Sequence, residues 1–107
     1  TMAGRRLRAA IADVVVAEGL YDSVEEVTVV IAGLANSYSD YVTTYEEYQA
    51  QRYEAASTIF GPHTHQAYVE LFEGLAKDMA TNVTTPSTVA PPDLLDEQLE
   101  FLPDVVY

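Results

Sequence analysis

The chain has no cysteine and no tryptophan, and only five lysines and arginines against seventeen aspartates and glutamates. Without cysteine there is no disulfide framework and no thiolate metal site, and the redox compartment stays open. A formal charge of −12 repels a phosphate backbone and the five cations form no stripe, which sets nucleic acid aside as a partner. Three of the five sit together as Arg5, Arg6 and Arg8, the pattern of a helix's polar face. No apolar run approaches the roughly 20 residues that span a bilayer. The opening TMAGRRLRAA lacks the apolar core of a secretory leader, and Met2 follows a threonine, so the chain is expected to be processed or cut from something longer.

What is present argues for folding. Of 107 residues, 49% are apolar, too many for a disordered segment, and the length suits one domain or a piece of one. In RRLRAAIADVVVAEG, Leu7, Ile11, Val14 and Val15 recur at helical spacing and Gly19 is a stop, although three consecutive valines weaken the helix. VTVVIAGL, Val27 to Leu34, is short, continuous and β-branched, the pattern of a strand buried on both faces. No second strand of that quality follows, so its partners are expected outside this chain. Thr44 and Glu47 fit a capping box for a short helix starting near Tyr45. Pro62 opens a longer helix to about Thr81, with Ala67, Tyr68, Leu71, Phe72, Leu75 and Met79 as its apolar face. Residues 82–107 read as a Pro-rich linker, with a turn or two of helix before Pro103; Asn82-Val83-Thr84 is a weak glycosylation sequon. The fold class expected is α/β: two or three helices and one buried strand belonging to a larger mixed domain.

Five of the eight tyrosines lie between Tyr38 and Tyr53. They follow the expected strand, and active sites of α/β proteins gather beyond the carboxyl ends of strands. The bland alternative is a set of packed rings with satisfied hydroxyls. His63 and His65 resemble a metal pair, but residues two apart point to opposite sides of a helix, whereas a helical pair needs i, i+4. His63 is therefore expected at a cap or on the surface and His65 in solvent. Glu25, Glu26, Glu46 and Glu47 read as solvated faces. There is no Gly-rich phosphate loop, GxSxG or HExxH.

TMAGRRLR, VVIAGLANSYSDYVTTYEEYQAQRYEAASTIFGPHT and AYVELFEGLAKDMA together resemble the neutral ceramidase family, zinc-dependent amidases that cleave the N-acyl bond of ceramide to sphingosine and fatty acid. The resemblance covers the chain end to end. It implies that residues 1–81 form the C-terminal part of a larger catalytic domain and that 82–107 lead toward a β-sandwich domain. By motif, the tyrosine of DYVTT, Tyr41, is a zinc ligand, and that of QRYEAAS, Tyr53, is a catalytic phenol at the scissile carbonyl. The family's remaining ligands, two histidines and a glutamate, would lie upstream and are not His63 or His65. The implied partners are ceramide, the upstream part of the catalytic domain and a peripheral membrane surface; the implied location is secreted or cell-surface. Tyr45 and Tyr48 are assigned to packing, and Tyr38 is left open. Two readings from other classes stand beside this one: a non-catalytic chain that completes a larger partner by strand addition, and an acidic surface adaptor using the −12 charge.

Overall fold

The first helix begins without a side-chain cap of its own. Met2 occupies the N-cap position, and its N–H is accepted instead by the Glu47 carboxylate at 3.0 and 3.2 Å. From there α1 runs Ala3–Ala17 and ends where Gly19 takes a left-handed φ of 78°, with Leu20 N–H donating back to the Val15 carbonyl. The three valines stay helical because this face is packed: Val15 is buried, and Leu7, Ile11 and Val14 are half-buried. The computed structural model describes residues 1–50, 52–87 and 89–98, and of Arg52 and Leu95 the backbone alone. Beyond α1 come a 3-10 turn at Val24–Glu26, then α2 Tyr45–Ala50, α3 Arg52–Ala56, α4 Thr64–Thr81 and α5 Leu95–Gln98.

Among the described residues there is no strand, which corrects the expected α/β class to a helical one. Residues 27–32 carry no regular secondary structure, and Val30 and Leu34 are 83% and 94% exposed. The physical reason is that a strand is a property of a pair. β-Branched residues favour an extended backbone, but a ladder needs a second segment to exchange hydrogen bonds with. Among the described residues none forms such a ladder with it. Ile31 packs on α1 instead, with its Cδ1 3.3 Å from where a Cβ on Gly4 would stand, so glycine permits the approach.

Helix α4 packs beside α1 and runs in the same direction. His65, near its start, meets the carbonyl of Ala3, and Lys77, near its end, lies 3.4 Å from Glu18. The residues of α4 that are buried are small or polar, Thr64, His65 and Ala76, with His65 at the contact with α1. The expected apolar face is displaced from this contact, for Leu71, Phe72, Leu75 and Met79 are exposed and Tyr68 is half-buried. His65 corrects a second expectation, being buried rather than solvated. Its Nε2 lies 3.0 Å from the Ala3 oxygen. A carbonyl only accepts, so Nε2 carries the hydrogen. His63 sits at the N-cap without a side-chain bond, its ring 5.4 Å from that of Tyr45. Pro62 stands in the turn before the helix rather than inside its first turn. Asn82, the residue of the sequon, terminates α4 in a left-handed conformation, with Val83 N–H reaching back to Asp78.

The capping box at α2 is complete. Glu47 N–H donates to Thr44 Oγ1, and Thr44 N–H donates to Glu47 Oε1, each at 3.2 Å. Of the arginine cluster, Arg6 pairs with Glu46 at 2.7 Å, both partly exposed. Residues 83–87 and 89–94 carry no regular structure, α5 is a single turn, and the rest of the expected linker, 99–107, lies outside the described residues. No described helix is long and apolar enough to cross a membrane.

Glu47 makes the fold acid-sensitive. Partial burial pushes its carboxyl up, but hydrogen bonds from Thr44 and Met2 and the nearby N-terminal charge outweigh this and hold it below 4.5. A carboxylate depressed on folding stabilises the fold above its unfolded value, and the gain is lost as pH falls through the depressed one. Thermal unfolding of the chain should therefore shift down on acidification below pH 4.5, and Glu47→Gln should flatten that limb. An unchanged acid limb in the variant would move the effect elsewhere, with Glu46→Gln as the control, since Arg6 lowers that carboxyl too.

Candidate functional site

Tyr41 and Tyr53 come from different elements and meet. Their ring centroids are 5.8 Å apart with planes at 88°, an edge-to-face pair. Tyr53 projects from α3 and is 71% exposed, while Tyr41 is half-buried in the segment that leads into α2. That segment is delivered by a loop in which Asn36 and Asp40 both take left-handed φ, 59° and 62°. Asn and Asp tolerate this better than other residues with a Cβ. After Asp40 the chain lies against the carboxyl end of α3, where Tyr41 N–H donates to the Ser57 carbonyl at 3.1 Å.

The segment carrying Tyr41 is tied to the end of α3 by buried hydroxyls. Thr43, Thr44 and Thr58 are the largest fully buried side chains among the described residues. Thr58 Oγ1 donates to the Glu54 carbonyl at 2.9 Å and accepts from Thr43 N–H and Thr43 Oγ1, at 3.2 and 3.1 Å. Sequence reasoning passed over Thr43 and Thr58. Thr44 had the capping-box signature to mark it, whereas nothing around Thr58 in AASTIFG distinguishes a buried threonine from an exposed one. The Thr1 hydroxyl donates to the Val42 carbonyl at 3.0 Å, which brings the start of the chain to the residue beside Tyr41.

The electrostatics favour protonated phenols. Tyr53, first as a hydrogen-bond partner and then as a neighbouring charge, pushes the Tyr41 hydroxyl above the usual phenol range; lost hydration, Tyr38 and Glu54 add to it. Tyr38 is also raised, by lost hydration first and then by the charge and hydrogen bond of Asp40. Tyr38 itself is largely exposed, and its neighbour Ser39 shares a hydrogen bond with Tyr68 at 3.3 Å. Tyr45 is exposed beside His63, and Tyr48 is half-buried on α2.

As a metal centre the region is partial. Tyr41 offers one oxygen, and among the described residues no group of three or more His, Cys, Asp or Glu could hold a metal ion. His65 is engaged with Ala3 and His63 with Tyr45. A phenol oxygen has a lone pair that a metal could use, so the described residues fit one ligand of such a centre and no more.

Residues 1–70 match the family model described as "Neutral/alkaline non-lysosomal ceramidase, N-terminal". That model describes the N-terminal region of the family's proteins, and the match takes in most of residues 1–81, the part expected above to belong to the catalytic domain. The chain is 52% identical over 107 residues to a neutral ceramidase of Oryza sativa subsp. japonica, covering 100% of this chain and 14% of the relative. It is 53% identical over 106 residues to neutral ceramidase 1 of Arabidopsis thaliana, covering 99% and 14%. With a neutral ceramidase of Drosophila melanogaster the identity is 50% over 107 residues, covering 100% and 15%. The chain thus spans about a seventh of the length of these relatives.

In the metal-free chain, Tyr41 should titrate above the ordinary phenol value of about 10. Tyr53→Phe removes its hydrogen-bond partner and should bring it back down. Tyrosinate absorbance, or ring-carbon NMR against pH, reads both; a Tyr41 titration indifferent to Tyr53→Phe would show that the rings touch without coupling.

Proposed function

Since the chain belongs to the family of neutral/alkaline non-lysosomal ceramidases, we propose that it is part of a zinc-dependent amidohydrolase that cleaves the N-acyl bond of ceramide. In this reading Tyr41 holds the metal through its phenol oxygen and Tyr53 acts on the substrate carbonyl. The observation that carries the reading is the Tyr41–Tyr53 pair itself, two accessible phenols 5.8 Å apart in an edge-to-face arrangement. A bound Zn²⁺ supplies Lewis acidity toward an amide carbonyl and eases ionisation of water. The Tyr53 O–H, on the exposed side of α3, donates to the carbonyl oxygen as negative charge builds there. Such a donor helps because it binds the transition state more strongly than the ground state, and losing one costs about 3–4 kcal/mol in comparable sites. The Thr1–Val42 hydrogen bond supports the arrangement, since residues preceding Thr1 in a longer chain would emerge beside Tyr41. Secretion or residence at the cell surface, and peripheral contact with a membrane, belong to the same proposal.

A second reading is favoured by one observation. Val30, Leu34, Leu71, Leu75 and Met79 are exposed large apolar side chains on a chain of this size. That surface suits a non-catalytic chain that assembles with a larger protein. Metal binding separates the two readings only in the longer protein, because one oxygen ligand cannot give tight zinc binding to the chain alone.

In the full-length protein that carries this chain, Tyr41→Phe removes a ligand and should lower zinc content together with turnover. Tyr53→Phe keeps the ring and should lower turnover by roughly 10²–10³ with zinc retained. Tyr45→Phe should leave both near wild type. Metal analysis and steady-state hydrolysis of a ceramide check all three; full zinc and full turnover in Tyr41→Phe would remove the ligand assignment.

A further inference from the structure

The two phenols are placed by something other than their own packing. Tyr53 is mostly exposed and Tyr41 half-buried, so neither ring is locked by a surrounding core. What is buried is a pair of threonines. Thr43 and Thr58 have 0% and 2% of their surface accessible, and they join the segment carrying Tyr41 to the end of the helix carrying Tyr53.

We propose that Thr58 is the positioning residue of the Tyr41–Tyr53 pair, its buried hydroxyl fixing the Tyr41 segment against the end of α3. The inference rests on the reading of the two phenols given above. A threonine hydroxyl has one hydrogen and two lone pairs. At Thr58 the hydrogen goes to the Glu54 carbonyl, one turn back on α3, and the lone pairs receive Thr43 N–H and Thr43 Oγ1–H. The inventory is full, so the group has a single arrangement. Tyr41 N–H donates to Ser57 O in parallel, two residues earlier in the segment. In an extended chain, alternate N–H groups point the same way, so the segment is held at two successive points, one by a backbone carbonyl and one by this hydroxyl. Ser57 N–H in turn donates to the Tyr53 carbonyl, which closes the path from one phenol's backbone to the other's.

Removing the hydroxyl while keeping the shape strands two buried donors of Thr43 and frees one of the two points. A displacement on the order of 1 Å at a reacting group can cost about 10²-fold in rate. The test uses the full-length protein that carries this chain. Thr58→Val should lower kcat roughly 10- to 100-fold with KM and bound zinc retained, measured well below the variant's unfolding temperature. Thr58→Ser keeps the hydroxyl and should restore most of the loss. On a Tyr53→Phe background, Thr58→Val should cost clearly less than it does alone, because the placement of the two phenols relative to one another that it sets no longer serves the missing hydroxyl. A wild-type kcat in Thr58→Val, a Thr58→Ser as slow as Thr58→Val, or a full independent penalty on the Tyr53→Phe background would each overturn the proposal while leaving the phenol reading in place. An undiminished kcat in Tyr53→Phe alone would overturn both. If Thr58→Val does not fold, Thr43→Val carries the test by the same criteria, since it removes one donor and leaves the Thr58–Glu54 bond intact.

Discussion

The carboxylate of Glu47 is the point on which the arrangement turns. It is the reciprocal partner in the α2 cap and also the acceptor for the backbone that opens α1, 45 residues away. One side chain thereby completes the α2 cap and holds the residue at which α1 opens, joining the start of the chain to the segment that carries Tyr41. The segment has little freedom left: Thr44 is held by the cap, Thr43 by Thr58, Val42 by Thr1 and Tyr41 by Ser57. Four successive residues are each tied down, at α2, at the end of α3 and at the start of the chain, and the phenol at the head of the run inherits their placement.

Hydrogen bonding does this because apolar burial is scarce. Among the described residues the buried apolar side chains are Ala3, Val15, Ala55 and Ala76, and three of those four are alanines. The buried polar ones are Thr43, Thr44, Thr58, Thr64 and His65. A buried valine contributes about 1.5–3 kcal/mol and an alanine much less. A satisfied hydrogen bond contributes about 0.5–1.5 kcal/mol net, but an orphaned buried donor costs more than that. The interior is therefore specific before it is strong. No buried side-chain polar atom among the described residues lacks a partner, so there is little slack for alternative arrangements.

Local signals in the sequence were legible and distant ones were not. The spacing of Leu7, Ile11, Val14 and Val15 gave α1, and Gly19 its stop, because both are decided within a few residues. The Thr44–Glu47 cap was legible for the same reason, although its second duty toward Met2 was not. The Val27–Leu34 segment misled because β-branching records a backbone preference and says nothing about whether a neighbour exists. His65 misled because its burial is decided by Ala3, 62 residues away. The apolar face of α4 was legible by period, but period does not say what covers a face: Thr64, His65 and Ala76 are the buried residues of α4, while Leu71, Phe72, Leu75 and Met79 are exposed. Spacing could not have singled out Tyr41 and Tyr53 among five tyrosines. Family resemblance did that, and the structure adds their contact.

The parallel setting of α1 and α4 has a consequence for the order in which the chain assembles. Parallel neighbours cannot be joined by a short turn, and here the intervening chain must return the full length of the pair. Closing the Ala3–His65 contact spans 62 residues, against 15 for Thr43–Thr58. That is about two doublings of loop length, or roughly 1.2 kcal/mol more closure entropy. Contacts of short sequence separation form sooner. The threonine clamp and its two tyrosines are thus a local unit able to close ahead of the helix pair, and the long-range pairing of α1 with α4 is left to the later and slower stage of folding.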